Sequence, residues 1–154
     1  MPITPMEFRQ TLGRWPSGVT VVTMQDGDTV HGITVSAFSS LSLEPPLVGV
    51  AIARKARSHG LLERVPRYAV SILRADQRDL SEHFAGRPVP LDEHPFEVFD
   101  ELPVLRGAVA QIACTIEQRV EVGDHTIYVG RIDTSRLSDG DPLAYHMGAY
   151  RQLS

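Results

Sequence analysis

AVAQIACTIEQRVEV, residues Ala108 to Val122, alternates almost without a break. Its even positions carry Ala108, Ala110, Ile112, Cys114 and Ile116, then Gln118, Val120 and Val122; its odd positions include Gln111, Thr115, Glu117, Arg119 and Glu121. Period two over about fifteen residues predicts a long β-strand with one buried face. Straight, such a strand would span ~50 Å at ~3.3 Å per residue. A chain of this mass packs into ~30–35 Å. The strand therefore bends, as the strands of a small barrel do.

The flanking sequence agrees. Gly123-Asp124 turns the chain, and His125 to Ile132 returns as an antiparallel partner. Upstream, Val19 to Met24 and Thr29 to Val35 are rich in β-branched residues and are joined by Gln25-Asp26-Gly27-Asp28, which carries the Asp-Gly hairpin signal. Leu47 to Ala53 (LVGVAIA) reads as a buried strand, Tyr68 to Leu73 as another short strand, and Pro142 to Leu153 as a last one. Thr4-Pro5-Met6-Glu7 has the form of a capping box, so a helix should start there with Phe8, Leu12 and Trp15 on one apolar face and end at Pro16-Ser17-Gly18. Two more helices are expected: Arg57 to Val65 with Ser58 as N-cap, and Asp76 to Ala85, capped by Asp76 and stopped by Gly86. Arg87 to Pro103, with four prolines, reads as a long surface connection. There is no regular β-α alternation, repeat or second boundary. The expectation is one domain over residues 1–154, mainly β, an antiparallel barrel with a few peripheral helices.

Composition narrows the function. The 154 residues hold 15 basic and 19 acidic side chains, a formal charge of −4, which disfavours a nucleic-acid binder. The single cysteine, Cys114, excludes an intrachain disulfide and a cysteine-cluster zinc site, and reads as a small buried hydrophobe. The six histidines occur singly, without HExxH, so no metal centre is expected; His31, His59, His83 and His94 read as structural or surface residues. No signal peptide and no membrane span is evident, so a cytoplasmic protein is expected. The Rossmann, Walker and GxSxG signatures are missing.

One region concentrates polar chemistry. Gly32 to Ser42 (GITVSAFSSLS) sets many hydroxyls behind a strand, and Ala53-Arg54-Lys55-Ala56-Arg57-Ser58 follows with three cations at a helix start. Hydroxyls suit the rim of a flat heteroaromatic; cations and a helix N-terminus suit a phosphate. On residue chemistry alone, a plain Ser/Thr-rich loop and a solvated basic cluster stand as alternatives.

Across most of the chain the sequence resembles the short-chain flavin reductases, the NAD(P)H:flavin oxidoreductase components of two-component flavin monooxygenases. The matching segments are PSGVTVVT (16–23), Gly32-Ile33-Thr34, SLEPPLV (42–48), YAVSIL (68–73), His83-Phe84-Ala85, GDHTI (123–127) and PLAY (142–145). The resemblance implies a split β-barrel that binds FMN or FAD, usually as a homodimer. It assigns Thr34, Val35, Ser36 and Ala37 to the isoalloxazine and ribityl chain, with Ser39 and Ser40 beside them. Ala53, Arg54, Lys55 and Ser58 fall on the phosphate side, and Phe84 and Ala85 close over the flavin. His125 lies near the nicotinamide side, where it would act as the catalytic positioning group, and Tyr145, His146, Met147 and Gly148 help bind the pyridine nucleotide. Two departures stand out: Thr34-Val35-Ser36-Ala37-Phe38 replaces a T-x-N-S-F pattern, and Lys55-Ala56-Arg57-Ser58-His59 replaces a common Arg-x-Ser-x-Thr arrangement. The implied reaction is hydride transfer from NADH or NADPH to flavin, with reduced flavin leaving for an oxygenase partner. The alternatives are a split-barrel flavoprotein oxidase of the pyridoxamine-phosphate oxidase type and a non-catalytic flavin-binding module.

Overall fold

The computed structural model describes residues 2–91 and 93–153. In chain order its elements are α1 (Pro5–Leu12), β1 (Ser17–Gly18), β2 (Thr20–Asp26), β3 (Thr29–Val35), β4 (Phe38–Ser42), β5 (Leu47–Ala53), α2 (Arg57–Leu62), β6 (Arg67–Ile72) and α3 (Arg78–Phe84). There follow β7 (Phe96–Phe99), β8 (Leu102–Leu105), β9 (Ala110–Val122), β10 (His125–Leu137), β11 (Ala144–His146) and β12 (Ala149–Arg151). Seven strands form one antiparallel sheet in the order β3-β2-β6-β9-β10-β5-β4. Its two edge strands, β3 and β4, are consecutive in the chain and joined through Ser36-Ala37, but they do not pair with each other.

The sheet bends where its two longest strands slip register. Opposite Val129 and Gly130 stand Gln118 and Ile116, so Glu117 is the extra residue on β9; Asp133 is the extra residue on β10. Gly130 is required at the first bend. A Cβ there would lie 2.5 Å from Tyr68 Oη and 2.8 Å from Cys114 Cβ. Tyr68, buried in the main core with Val22, Met24, Val50, Leu62 and Val70, donates to the Tyr128 carbonyl at 2.9 Å.

Period two fails on β9 for a clear reason. Residues Ala110 to Cys114 are buried whichever way they point, and Glu117 to Val122 are exposed on both faces. Only the first half has β6 as a second neighbour. There Ile112 and Cys114 face the main core, while Ala113 packs with Ala69, Leu102 and Val104. That outer layer comes from the segment expected to be a surface connection. Arg87 to Leu91 and Glu93 to Pro95 are loop, but the β7–β8 hairpin follows, and all four residues of β8 are buried. Its tip is tied down by Arg67, which donates to Asp100 at 2.6 Å and to the bulge residue Asp133 at 3.2 Å.

Other expectations also shift. The capping box of α1 forms, with Thr4 Oγ1 accepting from the Glu7 amide at 3.1 Å, yet the helix buries nothing: Phe8, Leu12 and Trp15 are 54%, 52% and 78% exposed. α2 is shorter than expected, its N-cap is Ala56, and Ser58 lies buried in its first turn. α3 starts after Gln77; Asp76 instead pairs with Arg74 at 2.7 Å. The last strand is two, β11 and β12, joined by Met147-Gly148 with both φ angles in the left-handed region (55° and 76°), as a tight two-residue hairpin requires.

Cys114 offers a pH test of this packing. Burial, reinforced by Asp133, pushes its thiol up to about 12, whereas an unfolded thiol titrates near ~8.5. A folded value above the unfolded one means the fold favours the protonated form; that contribution is complete below about pH 8.5 and is lost as pH rises toward 12. Thiol labelling at pH 8 should therefore be slower in the native protein than in urea by at least ~100-fold. Comparable rates would mean that Cys114 is reachable and the bend is not packed as described.

Candidate functional site

The edge strand β3 carries one wall of a groove, and α3 carries the other. Thr34 Oγ1 donates to the Ser81 carbonyl at 2.6 Å, which clamps the helix to the strand. Two residues back, Gly32 leaves room for the ring of Phe84; a Cβ there would sit 2.9 Å from Phe84 Cδ1. Beyond this contact opens a cleft of about 740 Å³, lined by β3 from Val30 to Thr34, by Arg57 and Ser58 of α2, by His83 to Gly86, and by Leu91 and His94 to Phe96. A second cleft of about 400 Å³ shares Thr34 and Ala85 with the first and continues past Ser36, Arg78 and Ser81 to Tyr145, Gly148 and Tyr150. The two clefts adjoin at Thr34 and Ala85, which line both, and we take them as two lobes of one site. Each falls in the size range of small-molecule sites, ~300–1,000 Å³.

The first lobe has an aromatic wall and an unmet hydroxyl. Phe84 meets His83 edge-on at 4.9 Å and lies tilted against Phe96 at 5.7 Å. Ser58 Oγ is buried and has no hydrogen-bond partner among the described residues. A buried hydroxyl left unpaired costs ~1–3 kcal/mol. No side chain caps the first turn of α2, and Arg57 stands beside Ser58. An acceptor rich in oxygen, such as a phosphate, satisfies all three features. His31 lines the same lobe; burial first, and then the neighbouring Arg57, lower its pKa, so it is a neutral imidazole at pH 7. The donor set and the flat wall fit a flavin phosphate and ring.

Of the residues expected from sequence, Thr34, Ser36, Ser58, Phe84, Ala85, Tyr145 and Gly148 come together along this groove. The Val35 side chain points into the core instead, and its carbonyl accepts from Thr20 at 2.6 Å. Ala37 and Ser39 border a small recess of about 130 Å³ against Gly49 and Ala51, and Ser40 is exposed on β4. Arg54, Lys55 and His125 form a separate cluster where β5 meets the β9–β10 turn. There Ala53 pairs with His125, the Arg54 guanidinium donates to the Gly123 carbonyl, and Asp124 Oδ1 lies 2.8 Å from His125 Nδ1. His125, with lesser help from Lys55, holds the Asp124 carboxyl below the usual range. His146 and Met147 pin the β11–β12 turn to the end of α1, through the Arg14 carbonyl at 3.2 Å and the Gly13 carbonyl at 3.1 Å.

Several groove residues had been read otherwise or passed over. His31, His83 and His94 all line the first lobe. The signal for His83 was its place beside Phe84. Arg78, Ser81, Arg87 and Tyr150 line the second lobe; they are spread over α3, the loop after it and β12, and no spacing in the sequence links them. Among the described residues no three His, Cys, Asp or Glu side chains converge as a metal site, and no helix is long and apolar enough to cross a membrane.

Comparison with known proteins gives a consistent picture. The family model of the flavin reductase like domain matches residues 12–154. The chain is similar to the NADH-dependent flavin reductase of a Rhodococcus species, 42% identical over 154 residues that cover 98% of this chain and 88% of that one. It is 40% identical over 150 residues to the reductase component of 4-hydroxyphenylacetate 3-monooxygenase from Thermus thermophilus, covering 95% of each chain. Among solved structures, the flavin reductase PheA2 in its native state superposes with a TM-score of 0.95 at 40% identity, covering 99% of both chains.

Because Ser58 Oγ has no hydrogen-bond partner among the described residues, Ser58→Ala should cost no stability. Its thermal midpoint is expected at or slightly above that of the parent, by up to ~1 kcal/mol in stability. A lowered midpoint would show that the hydroxyl has an internal partner.

Proposed function

The chain belongs to the flavin reductase like family, and on that footing we propose that it transfers hydride from NADH or NADPH to FMN or FAD. The observation that carries the reading is the groove along β3, with a buried hydroxyl that has no partner among the described residues at one end and an aromatic wall beside it. When bound, flavin supplies the two-electron chemistry. The chain's own residues bind and orient. Ser58 and Arg57 hold the phosphate, with Arg54 and Lys55 adding positive charge on the same side of the chain between β5 and α2. Thr34, Ser36 and Ala37 line the flavin ring and its ribityl chain, Val35 contributes backbone only, and Ser39 and Ser40 support that loop. Phe84 and Ala85 cover the ring, held in place by the Thr34–Ser81 bond and by the space at Gly32. Tyr145 to Gly148 receive the pyridine nucleotide; His125, although it stands apart from this groove at the β9–β10 turn, is proposed to reach the nicotinamide. No side chain acts as a nucleophile; orientation of donor and acceptor accounts for the rate gain.

Three further features belong to this reading. The protein works in the cytoplasm, and it supplies reduced flavin to a monooxygenase, in keeping with its similarity to the reductase component of 4-hydroxyphenylacetate 3-monooxygenase. It forms a homodimer, which would cover apolar side chains left exposed on α1 (Phe8, Leu12), on and beside β4 (Leu41, Leu43) and at the end of β9 (Val120, Val122).

The first experiment is NADH oxidation with added FMN or FAD under air; turnover is expected, and its absence with both nucleotides and both flavins would sink the proposal. Riboflavin, which lacks the phosphate, isolates the role of Ser58. Ser58→Ala should raise KM for FMN ~10-fold, the loss expected for one hydrogen bond to a charged group, and leave KM for riboflavin unchanged. Equal effects on both would place Ser58 away from the phosphate. His125→Ala should raise KM for NADH or lower kcat several-fold; unchanged values of both would remove His125 from the nicotinamide site.

A further inference from the structure

The second lobe of the groove is built differently from the first. Its cations are Arg78 and Arg87, and its one carboxylate is Glu82. Arg78 is already committed. Its Nε donates to Glu82 at 3.1 Å, and its guanidinium lies 4.9 Å over the ring of Tyr150. Tyr150 is committed as well, its hydroxyl 2.8 Å from Ser81 Oγ and its ring 5.3 Å from that of Tyr145, edge-on. Arg78 and Ser81 therefore lock Tyr150 in place, and Tyr150 supports Tyr145. Three groups in the lobe remain without a polar partner among the described residues, the Arg87 guanidinium and the Ser36 and Tyr145 hydroxyls, and all three residues are exposed. With Arg78 neutralised by Glu82, the lobe carries one uncompensated positive charge on a chain of net charge −4.

We propose that Arg87 is the charged contact for the diphosphate of the pyridine nucleotide, which occupies the lobe between Arg87 and the Tyr145–Tyr150 pair. The inference rests on the flavin reductase reading given above. The first lobe, with Ser58 and Arg57, has the chemistry for the flavin phosphate. A second ligand that must reach the same ring at Thr34 and Ala85 enters from the other end, and its anionic part then falls against Arg87. A guanidinium matches a diphosphate with parallel donors, which an ammonium does not. The lobe's volume of about 400 Å³ accepts part of a dinucleotide, leaving the rest over the rim. Arg78 is a positioning residue, acting through Tyr150.

The test uses ADP-ribose, which carries the diphosphate without a nicotinamide, titrated calorimetrically into the protein, alongside NADH kinetics with FMN as acceptor. Arg87→Ala should weaken ADP-ribose and raise KM for NADH by ~10-fold each, with kcat and KM for FMN within ~2-fold of the parent. Arg87→Lys keeps the charge but not the paired donors, and should recover part of the loss. If the parent turns over NADH and flavin while Arg87→Ala leaves ADP-ribose affinity unchanged, the inference falls and the flavin reductase reading stands. If KM for FAD rises in place of KM for NADH, the lobe holds the adenylate of the flavin and the inference is overturned. If the parent turns over no nucleotide with any flavin, the reading itself falls and the inference with it.

Discussion

The contact between β3 and α3 governs the rest of the site. One hydrogen bond, Thr34 Oγ1 to the Ser81 carbonyl, and one missing Cβ, at Gly32, set how closely the helix lies on the strand. Those two features place Phe84 over the strand, open a lobe on each side of the Thr34–Ala85 neck, and turn Ser81 Oγ toward Tyr150. The contact lies on the outer face of the sheet, where Gly32 and Thr34 alternate with the core residues Ile33 and Val35; the first lobe then reaches round the free edge of β3, which does not pair with β4, to Arg57 and Ser58. A closed barrel would have filled that side with a strand. The opening of the sheet and the presence of a groove are thus one structural fact.

How much of this was legible in the sequence follows from the range of the forces involved. Strands β2, β3 and β5, and the long β9–β10 pair, were readable because local pattern and local turn chemistry decide them. The β7–β8 hairpin was not. Its strands are four residues each, two prolines lie in or beside them, and its burial comes from Ala69 and Ala113, which arrive from distant strands. The same tertiary layer hides the alternation in the first half of β9. Asp76 lost its expected cap role to a competing local partner, Arg74, and Ser58 lost its own because the N-cap falls two residues earlier, at Ala56, placing the Ser58 hydroxyl inside the protein.

The site divides along the same line. The hydroxyl-rich stretch from Gly32 and the residues His83-Phe84-Ala85 are short, contiguous segments, and a family pattern can be read across them. The second lobe collects Arg78, Arg87, Tyr145 and Tyr150 from α3, the loop after it and the C-terminal hairpin. Only the folded chain brings these together, and the feature that distinguishes Arg87 from Arg78, the presence of Glu82 one helical turn from Arg78, acquires meaning once Tyr150 is known to lie under the Arg78 guanidinium.

The two ends of the groove also differ in how water reaches them. At the first end the unpaired group is a neutral hydroxyl buried in the first turn of α2, beside Leu61 and Leu62 of the core, and its bond to an anion would form in a low dielectric with little screening. At the second end the unpaired group is a guanidinium on an exposed loop, where salt screens a charge within ~8–10 Å. An anion at Ser58 is therefore held by short-range geometry, and an anion at Arg87 by a field that solvent and salt attenuate. On the reading proposed above, the two ligands would be held by different physics: one by fit to a rigid element, the other by a field that solvent and salt attenuate.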